Sequence, residues 1–271
     1  MDNIDKKFVK RSFNKSAYTY DRYAGLQKDT VQELLRLINP KDYRVRRALD
    51  IGTGTGNLTA GLMQRFPQTE IFGCDLALAM LAQAEKKTGG HGRFSAADAE
   101  FLPYKNNAFD LVVTSFTFQW LDSLQKAFFE VKRVLTPGGT FSFSFFGTET
   151  FHELRSAYKA ACRETGYGGG KALDLSLTER SVGGALSACG FCAPTLRSYR
   201  VVEKYDSVRE VMTLIRGMGA KNASTRRNRS LGVRKIWQRL IHIYKREFST
   251  NGRIPATFEI IAGSAKTPGS R

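Results

Sequence analysis

The sequence predicts an α/β fold, with a seven-stranded, mostly parallel sheet and helices on both faces. Residues 48–51 form a short apolar run, glycines follow at positions 52, 54 and 56, and a helical pattern begins at Leu58. Strand-like runs recur at 69–75, from about 93, and at 109–115 and 140–146, with helical stretches between them. This alternation is typical of a doubly wound sheet, whose ligand crevice lies at the carboxyl ends of the strands.

The remaining segments divide the chain into parts of one domain. Residues 1–38 predict an N-terminal helical cap, in which an apolar face repeats over 28–38. Residues 44–205 and 252–266 form the predicted α/β core, with a helix over 178–188 and late strands over 195–203 and 256–262. Residues 206–250 form a basic, helical insertion that we expect to cover the crevice as a lid. Thr150 and Glu153 fit a capping box at a helix start.

Composition limits the partners and the compartment. The chain of 271 residues has 42 Lys and Arg against 25 Asp and Glu, a formal net charge of +17. Such a surface attracts polyanions or acidic proteins, and it does not say which. No run approaches the ~20 apolar residues of a membrane helix, and the N-terminus lacks the apolar segment of a signal peptide. We therefore expect a cytoplasmic protein with no membrane partner.

The cysteines do not predict a metal site. Cys189 and Cys192 form a CxxC pair, while Cys74 and Cys162 stand alone. A zinc site needs a second pair or histidines at ligand spacing, and the sequence shows neither. The pair follows a helical stretch in which Gly190 is a plausible C-cap. We therefore expect a structural role for these residues.

The glycine turn predicts a ligand at the start of the first core helix. A dinucleotide turn has the spacing G-x-G-x-x-G, whereas this one is G-x-G-x-G, with Asn57 in the place of the last glycine. Asp50 precedes the turn, where it would repel a phosphate but would suit a ligand with an ammonium group. On this motif alone, a dehydrogenase turn or a chance glycine pattern remains an alternative.

Four motifs in order over residues 48–146 resemble those of the class I methyltransferases, Rossmann-like enzymes that use S-adenosylmethionine. Asp50 and the glycine turn match the part that holds the amino-acid end of the cofactor in that family. Asp75 lies 23 residues after Gly52, near the ~20-residue offset of a ribose-binding acid. Asp98 stands where the family has an acid that faces the adenine, and residues 109–115 with 135–140 resemble its fourth strand and the following turn. The cofactor-binding residues that this resemblance implies are Asp50, Gly52, Gly54, Gly56, Asp75, Leu76, Asp98, Ala99, Glu100 and Ser115.

Residues 13–27 carry a more specific pattern, F-x-x-x-A-x-x-Y-D-x-x-A-x-L-Q. It is similar to the N-terminal pattern of the malonyl-[acyl-carrier protein] O-methyltransferases of biotin synthesis. The resemblance implies methyl transfer from S-adenosylmethionine to the free carboxyl of malonyl-acyl-carrier protein or malonyl-CoA. It also implies that Tyr23 and Gln27 bind the cofactor. The small, acidic acyl carrier protein would suit the net charge of +17 as a partner.

The acceptor site is expected beyond the fourth strand. Gln119 and Trp120 follow that strand and are expected to bind substrate, since the carboxyl ends of the strands face the crevice; Trp120 has packing against the core as its alternative. A carboxylate is already ionised at neutral pH, so the reaction needs alignment and a group that holds the carboxylate. We predict Tyr18 as that catalytic group, with Arg200 and Arg216 as weaker substrate-binding candidates.

Three other functions stay open. An RNA methyltransferase would use the basic cluster of the insertion for phosphates, but no RNA-binding domain is evident, so nucleic acid is not the expected partner. A quinone or small-lipid methyltransferase would have an apolar lid, whereas this insertion is charged. A regulator would bind the cofactor without turnover. Arg226 to Arg229, Arg234 and Lys235 make up the basic cluster.

Overall fold

The computed structural model describes residues 4–38, 45–167, 175–218 and 233–269. Within these residues, seven strands form one sheet in the order β3-β2-β1-β4-β5-β7-β6. The strands are β1 (Arg47–Ile51), β2 (Glu70–Asp75), β3 (Arg93–Ala96), β4 (Phe109–Ser115), β5 (Leu135–Phe146), β6 (Cys192–Tyr205) and β7 (Ile254–Lys266). The first five pair in parallel, and β7 is antiparallel to both β5 and β6. The predicted fold class is confirmed.

Helices precede the sheet and cover both of its faces. They are α1 (Lys6–Ser16), α2 (Tyr20–Tyr23), α3 (Gly25–Leu37), α4 (Asn57–Arg65), α5 (Leu78–Lys87), α6 (Leu124–Val134), α7 (His152–Thr165), α8 (Glu179–Ala188), α9 (Val208–Gly217) and α10 (Val233–Phe248). A short 3₁₀ turn over Phe118–Trp120 follows β4. No helix among the described residues is long and apolar enough to cross a membrane.

Aromatic side chains of β5 fill the core on one face of the sheet. Phe141, Phe143 and Phe145 alternate along the strand and are completely buried. They pack with Phe128 of α6 in one apolar cluster, to which α8 also contributes. On the other face, side chains of α3 and α4 form a second cluster with β1 and β4. Burying each such side chain contributes about 1.5–3 kcal/mol relative to leaving it exposed, so the sheet is a firm base for the loops at its edge.

Parallel register brings the carboxyl ends of the central strands to one edge. Ile51 pairs with Cys74 of β2 and with Thr114 of β4. Asp75, at the end of β2, pairs with Ala96, at the end of β3. The residues that follow these strands therefore meet along one line, as expected for a ligand crevice in a doubly wound sheet.

The two late strands are confirmed and are longer than predicted, because β6 and β7 pair in one antiparallel ladder with a register shift between Cys192 and Thr195. One local prediction was wrong. Thr150 does not begin a capping box, because its hydroxyl bonds the backbone of Glu259 and Phe151 takes the N-cap position. The carboxylate of Glu153 instead accepts hydrogen bonds from Thr257.

The predicted cap and insertion are helical where they are described. Helices α1 to α3 form the N-terminal part, and α9 and α10 lie within 206–250. Gly217 of α9 lies against the Tyr23 ring, and α10 packs on α7. Residues 219–232, which lie between α9 and α10 and include Arg226 to Arg229, are outside the described residues. The lid role of the insertion therefore stays a prediction.

Candidate functional site

A cleft lies at the carboxyl edge of the sheet, beneath the N-terminal helices. Its residues border about 740 Å³ of space free of protein atoms, a volume that includes open solvent at the mouth. The ends of β1, β2 and β4 and the residues after β3 form its base. Helix α1 contributes Lys6, Val9, Lys10 and Phe13 to its wall.

Each glycine of the turn has its own physical reason to be glycine. All three have positive φ, at 71°, 56° and 84° for Gly52, Gly54 and Gly56. A Cβ on Gly52 would overlap the Thr117 side chain, and a Cβ on Gly56 would lie 2.8 Å from the Cα of Ala84. A Cβ on Gly54 would meet no atom closer than 3.9 Å. Gly54 thus keeps the backbone open to the cleft, whereas Gly56 allows α4 to approach α5 closely.

Asp75 holds the turn and faces the cleft. One carboxylate oxygen accepts a hydrogen bond from the Gly54 N–H at 2.9 Å, and the other accepts one from the Ala77 N–H at 2.8 Å. Burial raises the pKa of Asp75, against these backbone hydrogen bonds, which lower it. Because each carboxylate oxygen has two lone pairs, both can accept a further bond from a ligand hydroxyl.

Asp50 lies behind the turn, outside the cleft wall. Its side chain is buried, and one oxygen accepts a hydrogen bond from the Thr59 hydroxyl at 2.6 Å. Burial raises its pKa to about 7; the Thr59 hydrogen bond opposes this and the Asp75 charge adds to it. Asp50 therefore joins β1 to α4, and its role in cofactor binding stays a prediction.

At the far end of the cleft, Lys6 of α1 reaches the acids that follow β3. Its ammonium lies 2.6 Å from an oxygen of Asp98 and also bonds Glu100. Burial lowers the pKa of Lys6, but the hydrogen bonds and charges of both carboxylates outweigh it and raise that pKa. Asp98 and Ala99 line the cleft. Glu100 is buried, and it also accepts a bond from the Ser123 N–H at 2.8 Å.

Tyr20, and not Tyr18, lies in the cleft wall. Tyr18 is 77% exposed, in the turn that follows α1. Burial, followed by the charges of Asp75 and Asp21, raises the pKa of Tyr20, so its phenol stays protonated and can donate a hydrogen bond. Tyr20 is a fixed letter of the 13–27 pattern and Tyr18 is not, a signal that the sequence already contained.

Asp21 ties α2 to the glycine turn. One carboxylate oxygen accepts hydrogen bonds from Thr55 at 2.6 Å and Asn57 at 3.1 Å. The other pairs with the ammonium of Lys87 at 2.7 Å. Burial raises the pKa of Asp21, but Lys87 and Thr55 outweigh it, and the net shift is downward. The carboxylate therefore stays charged and links the N-terminal helices to the turn.

The residues after β4 form the opposite wall. Ser115 lines the cleft and shares a hydrogen bond of 2.9 Å with Ser144. Trp120 also lines it, edge-on to Phe13 at 5.9 Å between ring centroids. Gln119 is buried behind them and donates to the Phe116 carbonyl at 2.7 Å. Its Oε1 has no partner among the described residues, so it can accept a bond from water or a ligand.

Four other predicted residues lie outside the cleft wall. Tyr23 packs against α9, and the buried Gln27 donates to the Met218 sulfur at 2.8 Å. Arg200 pairs with Glu149 at 3.7 Å on the edge strand β6, and Arg216 is exposed on α9. Leu76, by contrast, does line the cleft. The binding roles of all these residues stay predictions.

Several residues of the cleft wall were not predicted from the sequence. Met80 of α5, Val9 of α1, and Phe116 and Thr117 after β4 all line the cleft. Phe116 has a φ of 53°, which is unusual for a bulky side chain. Such conformations concentrate at functional sites. No signal in the sequence distinguishes Met80, Val9 and Phe116 from residues of the core.

The residues of the cleft fit S-adenosylmethionine. Gly54 leaves backbone space for a ligand beside the first turn of α4, and Asp75 has lone pairs for hydroxyl groups. Met80, Leu121, Ala97 and Ala99 give the cleft an apolar lining near Asp98, which suits an adenine with its amino group. The fold and this cleft define the protein as a class I methyltransferase that uses S-adenosylmethionine.

Comparisons with known proteins give the same class of protein. The methyltransferase domain family model matches residues 49–143. The solved structure of YcgJ from Bacillus subtilis superimposes with a TM-score of 0.60 at 18% identity, covering 88% of this chain and 100% of that one. Phosphoethanolamine N-methyltransferase 2 from Haemonchus contortus, solved with S-adenosyl-L-methionine, gives 0.58 at 17% identity, covering 94% of this chain and 57% of that one. These likenesses show the fold.

Curated relatives define the family more narrowly. A malonyl-[acyl-carrier protein] O-methyltransferase from Geobacter sulfurreducens is 36% identical over 97% of this chain and 99% of its own length. One from Halorhodospira halophila is 35% identical over 97% of this chain and 88% of its own length. The chain belongs to the malonyl-[acyl-carrier protein] O-methyltransferase family.

Proposed function

We propose that this protein methylates the free carboxyl of a malonyl thioester on acyl carrier protein, giving the malonyl methyl ester. When bound, S-adenosylmethionine would supply a methyl group from its sulfonium to a carboxylate oxygen, with the neutral thioether S-adenosylhomocysteine as the leaving group. The near full-length likeness to relatives with this named activity supports the substrate. The resemblance of residues 13–27 places the product in biotin synthesis.

The titratable side chains of the cleft wall bear on the kind of acceptor. Among its described residues there is no histidine, and the two acids already have partners: Asp75 with backbone N–H groups and Asp98 with Lys6. A hydroxyl or amine acceptor needs a base for its proton, whereas a carboxyl with a pKa of about 4 is already ionised at neutral pH. The absence of an uncommitted base in this wall therefore favours a carboxylate acceptor.

The chain's own residues have three tasks in this proposal. Gly52, Gly54, Asp75, Leu76, Asp98, Ala99 and Ser115 hold the cofactor. Tyr20 donates its phenolic hydrogen to the acceptor carboxylate, since it lines the cleft and stays protonated. Phe13, Phe116 and Trp120 exclude water and align the reactants, and alignment can lower the barrier by about 7–11 kcal/mol.

Label transfer tests the proposal. The protein is incubated with methyl-labelled S-adenosylmethionine and either malonyl- or acetyl-acyl-carrier protein, and label is counted in the carrier fraction. We expect transfer to the malonyl form alone, because acetyl has no free carboxyl. Parallel reactions contain total RNA or a quinone precursor. Transfer of label to the RNA or the quinone precursor, with none to malonyl-acyl-carrier protein, would contradict the proposed acceptor.

A further inference from the structure

Helix α1 has a strongly basic outer face. Five of its 11 residues are lysine or arginine and none is acidic. Of these five residues, only Lys6 pairs with acids in the described part of the chain, and its partners are Asp98 and Glu100. Lys7, Lys10, Arg11 and Lys15 are exposed and have no acidic partner among the described residues. Four uncompensated cations thus lie within three turns of one helix.

The arrangement of these cations is one-sided. Val9, Ser12 and Ser16 are the buried stripe of α1. At ~100° per residue, the four exposed basic positions, Lys7, Lys10, Arg11 and Lys15, fall in the half-circumference opposite that stripe. These exposed cations therefore face solvent and can act on one partner together, as a distributed positive field.

This face borders the mouth of the cleft. Lys10 and Phe13 of the same helix line the cleft itself. The helix is tied down at both ends, by Lys6 to Asp98 and by the Asn14 side chain, which accepts a hydrogen bond from the Ala79 N–H at 2.8 Å. A macromolecule bound to the outer face of α1 would thus be held beside the opening on a rigid support.

Two large apolar side chains lie exposed at the end of α1 and at the start of α5, the two helices that the Asn14 hydrogen bond joins. Leu78, the residue before Ala79, is 58% exposed, and Tyr18, just after α1, is 77% exposed. Exposed aromatic and aliphatic residues within a charged surface are typical of a protein–protein contact, in which they form the dry centre and charges form the rim. A nucleic acid or an anionic membrane would match the cations without needing these two exposed apolar side chains.

We infer that the outer face of α1, with Tyr18 and Leu78, is the docking surface for an acidic face of the acyl carrier protein. The inference rests on the proposed function and deepens it. The basic cluster noted in the sequence belongs to the 206–250 insertion, whereas no described residue of α9 or α10 lines the cleft. Docking on α1 puts the thioester arm of the carrier at the opening.

The test is a charge reversal with a matched control. One variant carries Lys7→Glu, Arg11→Glu and Lys15→Glu, none of which lines the cleft. The control carries Arg234→Glu, Lys235→Glu and Lys245→Glu, three exposed cations of α10. Both variants change the net charge equally. Each is assayed with malonyl-acyl-carrier protein and with malonyl-pantetheine, a small thioester that needs no docking surface.

The α1 variant should lose at least about tenfold in kcat/KM for the carrier at low salt, because steering by complementary charge accelerates association by ~10- to 1,000-fold. Its kcat/KM for malonyl-pantetheine should match the wild type, and the control should keep both rates. The wild-type rate with the carrier should also fall as salt rises.

Several results would overturn the inference. These are an unchanged carrier rate in the α1 variant, an equal loss with malonyl-pantetheine, or the same loss in the α10 control. Unchanged carrier rates together with lost binding of a labelled RNA oligonucleotide would assign the face to nucleic acid. If the wild type methylates neither thioester, the proposed function itself falls, and the docking surface falls with it.

Discussion

At the scale of single residues, two acids from the same predicted motif set have different positions. Asp75 ends β2, lines the cleft and binds the turn backbone, whereas Asp50 is buried behind the turn with Thr59. The sequence was enough to locate both acids near strand ends, because each one stands just before a turn along the chain. It did not decide which side chain faces the ligand, since that depends on how α4 packs over the turn.

Because Asp50 is buried, the free energy of unfolding should depend on pH. Its pKa of about 7 exceeds the ordinary value of 3.8, so the folded state keeps the proton more readily than the unfolded state does. The free energy of unfolding should therefore fall as pH rises from about 4 to 7, by at most about 4 kcal/mol from this group. Asp50→Asn keeps an acceptor for Thr59 and removes the titration.

Urea unfolding of the wild type and of the Asp50→Asn variant, both without cofactor, measures this pH dependence. At pH 5 the two stabilities should be closer, and at pH 8 the Asp50→Asn variant should be the more stable. A wild type that is more stable than the variant at pH 8 would contradict the account of Asp50. Cofactor affinity of the same variant, measured by calorimetry, shows how much the charge behind the turn contributes to binding.

Tyr20 and Tyr18 give a matched pair of substitutions. Tyr20→Phe keeps the ring beside Phe13 and removes only the hydroxyl. Losing a hydrogen bond to a charged group costs about 1.5–3 kcal/mol, so kcat/KM for the malonyl carrier should fall by ~10- to 100-fold. Tyr18→Phe should stay within about twofold of the wild type, since an exposed ring retains its contacts. The opposite ranking would return the catalytic role to Tyr18.

At the scale of elements, the N-terminal helices are attached to the cleft by charged contacts. The Asp21 network joins α2 to the turn and to α5, and Lys6 joins α1 to the residues after β3. The sequence predicted these helices as a cap, because their amphipathic pattern is local. It did not predict Lys6, Val9 or Met80 in the wall, because their meeting is set by tertiary packing.

Removing the Asp21 carboxylate should loosen the cap more than it destabilises the fold. Asp21 and Lys87 are only partly buried, and such pairs contribute about 0–1 kcal/mol. Asp21→Ala should therefore change the unfolding midpoint little, but weaken S-adenosylmethionine binding severalfold by freeing Thr55 and Asn57. Glu33→Ala, which breaks a surface pair with Arg36, is the control. Equal cofactor affinity in both variants would refute the role of the Asp21 network.

At the scale of the whole molecule, the doubly wound order and the cleft at its edge were predictable from strand alternation and turn glycines. The excess of basic residues was also visible, but its distribution was not. The net charge of +17 gave no position, and only the folded α1 shows cations gathered on one face at the cleft. Sequence periodicity indicates which face of a helix is buried, and the partner of the other face depends on its place in the fold.

Binding in the cleft should stabilise the whole domain. S-adenosylhomocysteine at 100 times its dissociation constant should add about 2.7 kcal/mol to the free energy of unfolding, if it binds only the folded state. Thermal unfolding with and without the ligand measures this, and a Gly54→Val variant should lose most of the ligand-dependent shift by filling the open space beside the turn. A full shift in Gly54→Val would place the ligand elsewhere.

In the proposed reaction, the methyl group reaches the malonyl carboxyl of a carrier-bound thioester. Mass spectrometry of the carrier protein, with fragmentation that releases its thioester arm, tests this. We expect the released malonyl arm to gain the mass of one methylene after incubation with enzyme and S-adenosylmethionine, and a mild esterase to remove this gain. A carrier that stays unmodified, or that gains the methyl on its polypeptide instead of the arm, would contradict it.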